Sequence, residues 1–276
     1  MLVVGIWLTL LLYIISWISS LFASPFEKNS NSILLVRLEV VGLRIAWIFH
    51  TLTLLGILWT KSVWPTSFVS DILSITAWIS MVVVQAFPER LPSLFNEIFI
   101  RLFVILLLGL SLIISQNKSI SGEILSDHTW LYEVLLVSHI IILLAGYVLL
   151  GVACVASSIF LYRERHLKNK KVNSMTVRFP ALGTLDRLSW QGTLCGFFAL
   201  SIGIMIGILI NKNDQSLLAD LRFISSISAW FVFALLLLFR KLQLLRSFWA
   251  SVWPIFGFFL ALVSLIVELL RLNVLK

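Results

Sequence analysis

Apolar runs long enough to cross a bilayer recur along the whole chain, and they restrict its folding more than any other feature. Two of them read SHIIILLAGYVLLGVACVASSIFLY and QGTLCGFFALSIGIMIGILI. In hydrocarbon no water satisfies backbone N–H and C=O groups, so such runs must be helices or strands of a closed barrel. These runs are continuous rather than alternating, which excludes a transmembrane β-barrel. The sequence therefore predicts an all-α, polytopic helical membrane protein. Charged residues make up only 12% of the chain, against about 25% in a soluble domain. The largest polar connection, 163–189, is 27 residues long, too short for a soluble domain. Residues 1–276 are thus expected to form a single integral membrane domain.

Eight spans are expected, at roughly 2–23, 38–60, 69–87, 99–116, 132–162, 190–210, 222–239 and 248–270. The first lacks a basic leader and is long enough to span, so it reads as a helix rather than a cleaved signal. The fifth, about 31 residues, outruns a hydrocarbon core of about 30 Å and should tilt or project. Eight spans put the connections 1–2, 3–4, 5–6 and 7–8 on one side. That side carries 14 Lys and Arg residues, among them Lys28, Arg90, Arg246 and the seven of 163–189. The opposite side carries 6. Basic loops stay in the cytoplasm, so both termini are expected outside.

The net charge of +8 fits this placement, with basic loops facing lipid headgroups, and implies no nucleic-acid partner. Cys154 and Cys195, both inside spans, have no metal-ligand spacing and read as buried core residues. Trp47, Trp78 and Trp230 lie deep in spans and read as packing or lipid-facing residues. Spans five and six are rich in small residues, with Gly192-x-x-x-Gly196 and Gly203-x-x-x-Gly207 in the second. Such residues let helix backbones approach closely. Pro254 and Gly257 are expected to bend the last span.

Imidazole and charge inside a bilayer are costly, so they mark candidate sites. His50 lies about 15 Å below the outer end of span two, and His139 about 10 Å below the outer end of span five. Neutral imidazole is a common axial ligand of haem iron, and two histidines on different helices can clamp one haem. His50 and His139 are the candidate pair for the iron. The alternative for each is a histidine bonded to a neighbouring helix. With no CxxCH motif, a haem would be haem b, held without covalent attachment. His128 and His166 read as solvated surface residues. Arg44 either pairs internally or snorkels. The spans hold almost no acidic residues, which disfavours a proton-coupled permease. No P-loop, HExxH, Ser/His/Asp pattern or nucleotide fingerprint is present, so no enzyme is predicted.

Three pieces of the chain carry a family resemblance. One is His139 followed by AGY in a span that leaves the membrane as LYRERHLKNKK. The others are FPALGTLDRLSW and GFFALSIGIMIG. Together they cover about 133–211, and they resemble the cytochrome c assembly family in its shorter membrane branch, called HemX-like, YpjD-like or CcsA-like. The family-like core is expected over about 133–240. The resemblance implies haem handling at the outer membrane face, with His139 matching the first of the family's flanking outer histidines. Asp220 and Arg222 match the acidic and basic residues that close the family's tryptophan-rich loop. Trp230 and Arg240 fit the next span. The loop itself, NKNDQSLLADLR, has no tryptophan, and the second outer histidine is missing, which favours an accessory role.

The leading expectation is a haem-binding or haem-handling protein of the inner (cell) membrane in cytochrome c biogenesis. Its partners would be haem, the lipid bilayer and a cytochrome c maturation protein. The alternative is a HemX-like membrane regulator of a haem-biosynthesis enzyme, acting through its cytoplasmic loops.

Overall fold

The computed structural model describes residues 2–22, 30–61, 69–86, 100–114, 130–169, 180–210, 221–242 and 247–274. These are all helical apart from short turns at their ends. In chain order the helices are α1 (Leu2–Phe22), α2 (Ser30–Lys61), α3 (Val69–Ala86), α4 (Arg101–Ile114), α5 (Trp130–Lys168), α6 (Leu182–Ile210), α7 (Leu221–Lys241) and α8 (Ser247–Val274). Each corresponds to one expected span. Five contain stretches long and apolar enough to cross a membrane: Val40–Trp59, Trp130–Lys168, Leu182–Ile210, Phe223–Lys241 and Phe248–Leu265. The apolar stretches of α1, α3 and α4 are shorter.

The helices form two compact units, Met1–Ser126 and Asp127–Lys276. In the first, α1 packs on α2, α2 on α3, α3 on α4, and α4 back on α1. This four-helix ring is apolar outside, and its interior mixes apolar side chains such as Ile57, Met81 and Leu108 with buried polar ones. Trp7, Leu8, Leu11 and Ile15 of α1 are exposed, while Thr9, Tyr13, Ser16 and Ser20 on its other face are buried. A soluble bundle has the opposite arrangement. Lipid accounts for it, because lipid tails accept apolar side chains and helices then associate through packing and hydrogen bonds. Ser111 Oγ of α4 donates to the Ser70 carbonyl of α3 at 2.8 Å, and Trp78 Nε1 of α3 donates to Thr51 Oγ1 of α2 at 2.8 Å. Trp78 also stacks on Trp47, with centroids 5.9 Å apart and 17° between planes. Both tryptophans therefore pack between helices. Arg44 is exposed on the outer face of α2, where its stem can snorkel.

The second unit is built on the pair α5 and α6, with α8 against α5 and α7 closing the ring. Its core gathers Leu150, Leu200, Ala229, Phe233, Leu236 and Ala261, with Tyr147, Phe197 and Phe258 packed against them. α8 continues unbroken through Pro254. Gly257 lies flat against Phe233, where a Cβ would come within 2.8 Å of the ring.

Two expectations need correcting. Cys154 is buried, but Cys195 is exposed, because it lies on the face of α6 turned away from the core. Both ends of the polar stretch 163–189 are helix rather than loop, at 163–168 and 182–189. α5 runs on to Lys168, and α6 starts at Leu182. Polar residues continue a helix readily once it has left hydrocarbon, and hydropathy detects only the part inside. At 39 residues α5 is about 58 Å long, so it projects well beyond a core of about 30 Å.

Candidate functional site

The small residues of α5 and α6 interlock as an antiparallel seam. Ser157 Oγ lies 2.7 Å from Ser189 Oγ. A Cβ on Gly192 would stand 2.9 Å from the Leu149 carbonyl oxygen, and one on Gly196 2.7 Å from Leu150. Gly146 faces Ala199, Gly203 faces Leu143, and Gly207 faces His139. The two backbones meet where glycine leaves room, so the seam brings His139 against the exposed carbonyl edge of α6.

There His139 Nδ1 lies 2.8 Å from the carbonyl oxygen of Gly203, 64 residues away in sequence. A carbonyl only accepts, so Nδ1 carries the proton and donates. In the neutral ring the lone pair is then on Nε2. Metal-ligating histidines are commonly oriented in this way, by a backbone carbonyl on the other ring nitrogen. His139 is half-buried.

His50 has a different setting, in the first unit. It is 1% exposed, with Nε2 3.0 Å from Ser74 Oγ of α3 and Nδ1 3.5 Å from the Tyr13 hydroxyl of α1. The Tyr13 and His50 rings meet edge to face at 5.9 Å. A hydroxyl both donates and accepts, so both tautomers of His50 are accommodated. Either nitrogen would have to give up a hydroxyl before it could reach iron. His50 fits the interhelix hydrogen-bonding role more directly than the ligand role. Asp220 and His128 lie outside the described residues. His166 stacks on Tyr162 at 4.1 Å and donates from Nδ1 to the Tyr162 carbonyl at 2.9 Å, so the side chain is tied to α5. Among the described residues no cluster of three or more His, Cys, Asp or Glu side chains could hold a metal ion.

At the opposite end of the second unit, residues of two of the resemblance segments come together. Arg240 of α7 bonds Asp186 Oδ1 of α6 at 2.6 Å, and its guanidinium lies 5.1 Å from the Trp190 ring centroid. Asp186 and Trp190 are one helical turn apart, so one arginine spans both. Arg163 of α5 donates to the Pro180 carbonyl just ahead of α6. Sequence reasoning placed Arg240 in the pattern but did not find its partners; the four-residue spacing of Asp186 and Trp190 was the available signal. Trp230 is likewise tied to α6, donating from Nε1 to Ser201 Oγ at 2.8 Å.

Residues 66–275, about three quarters of the chain, match the cytochrome C assembly protein family. The chain belongs to that family. No curated protein matches it significantly. Membership supports a role in cytochrome c biogenesis for this cytochrome c assembly protein, and the apolar helices support a multi-pass membrane location. The matched stretch takes in α3 to α8 and contains His139, the Asp186–Trp190–Arg240 clamp and Asp220. It leaves out α1 and the whole of α2, and with them His50.

Proposed function

We propose that this cytochrome c assembly protein is a non-enzymatic haem-binding or haem-handling protein of the inner membrane, with His139 as an axial ligand through Nε2. One observation carries the reading: inside the family-matched stretch, His139 donates a hydrogen bond from Nδ1–H to the Gly203 carbonyl. That leaves on Nε2 the lone pair an iron needs. The seam of α5 and α6 supplies the fixed backbone that orients the ring. Haem b, bound without a covalent link, would bring a redox-active iron to the site. His50, in the first unit, would reach an iron only by giving up a hydroxyl partner, Ser74 or Tyr13. The basic end of α5 faces the cytoplasm in this reading, all eight helices cross, both termini are outside and His139 lies toward the outer face. The branch is the short HemX-like one, and Asp220 contributes on the same outer side.

The test is an absorption spectrum of the protein purified in mild detergent from haem-sufficient cells. A Soret band is expected in the wild type, is lost in His139→Ala, and is weakened or red-shifted in His50→Ala if that residue contributes. A band unchanged in His139→Ala would overturn the assignment. A wild type with no haem would leave the regulatory alternative, in which cytoplasmic segments contact a haem-biosynthesis enzyme.

A further inference from the structure

We infer that Gly207 is a positioning residue: its missing side chain seats the His139 ring against α6 and thereby sets which ring nitrogen holds the proton. This inference rests on His139 being the ligand only for its effect on haem; the effect on the ring stands without it.

The geometry is specific to this position. A Cβ on Gly207 would lie 2.8 Å from His139 Cε1, 3.3 Å from Nδ1 and 3.7 Å from Nε2. Gly207 therefore faces the ring at the carbon between its two nitrogens. One turn earlier, Gly203 supplies the carbonyl that accepts from Nδ1. The 203 carbonyl is also the regular helical acceptor for the 207 N–H. Imidazole and helix thus share one acceptor, reachable only because residue 207 has no side chain. A methyl group there would act on the ring itself, because His139 is the side chain that stands in its place. The ring would turn away, Nδ1 would lose the carbonyl, and the preference for a proton on Nδ1 would go with it. Gly151 of α5 is the natural control. A Cβ there meets the Phe258 ring at 3.4 Å, an ordinary contact distance, rather than the histidine.

The experiment uses full-length protein in detergent, with ¹⁵N-labelled histidine and His139 assigned by its loss in His139→Gln. At a pH where the ring is neutral, the wild type is expected to show a protonated Nδ1 and an unprotonated Nε2. Gly207→Ala is expected to shift His139 toward the Nε2-protonated form, while Gly151→Ala keeps the wild-type signature. A haem titration followed by the Soret band is expected to show a loss of affinity of about 10- to 100-fold in Gly207→Ala, the usual effect of disturbing an outer-shell partner. A wild-type His139 protonated on Nε2 overturns the inference, even if the variant fails to fold. So does a Gly207→Ala protein with an unchanged ¹⁵N signature. A shifted signature in a protein that binds no haem would sustain the role of Gly207 and remove the haem reading instead.

Discussion

The two candidate histidines differ in what surrounds them, and this separates their roles at the scale of single residues. His50 sits between two hydroxyls that adapt to either tautomer, which suits a side chain whose work is to join helices. His139 meets a carbonyl, which permits one tautomer only. His50→Leu is expected to destabilise the first unit by about 1–3 kcal/mol, because it leaves two buried hydroxyls without their partner. Ser74→Ala should cost less, since it removes one hydroxyl and leaves His50 with Tyr13. Thermal unfolding in detergent orders the two. Depth and residue type were legible in the sequence for both histidines, but partners were not. Nothing in the local spacing of His139 points to a carbonyl 64 residues away, or in that of His50 to hydroxyls on two other helices. Cys195 is a similar case: hydropathy places a residue in a span but says nothing of the face it occupies.

At the scale of helices, the glycines fall into two groups with opposite expectations. Gly192 and Gly196 lie where α5 and α6 touch, and a Cβ on Gly192 would meet backbone, which cannot rotate away. Gly192→Ala should lower stability by about 1–3 kcal/mol, the usual cost of overpacking. Gly42 and Gly109 have nothing within 4 Å of a Cβ. Alanine at either position should raise stability by about 0.5–1 kcal/mol, since glycine is the poorer helix former. Chemical denaturation of the single variants tests both signs. The clamp at the other end of the seam gives a third expectation. Arg240→Lys keeps the charge but loses the planar group that bonds Asp186 while lying over Trp190, so it is expected to cost about 1 kcal/mol. The helices themselves were legible, because a continuous apolar run in a bilayer has one conformation open to it. Their ends past the apolar runs were not, which is why 163–168 and 182–189 read as parts of a loop and fold as helix.

For the whole molecule, the charge asymmetry makes a directional claim. Single cysteines placed in 163–169, in a background lacking Cys154 and Cys195, are expected to resist a membrane-impermeant maleimide applied to intact cells. Cysteines placed in 212–220 should react. The reverse pattern would invert the topology and move His139 to the cytoplasmic half. The family match gives the molecule a second asymmetry. It spans all of the second unit but only α3 and α4 of the first. His50 lies outside the matched stretch and is held by hydroxyls of α1 and α3, and its loss is expected to affect folding more than haem chemistry.

α5 is held to α6 by close contact over about half its length, from His139 to Ser157, and again through Arg163 just ahead of α6. From His139 to Lys168 the helix covers about 44 Å. A strut fastened at so many points shares strain among them, so a side chain enlarged at one contact of the seam is felt at its neighbours on both helices.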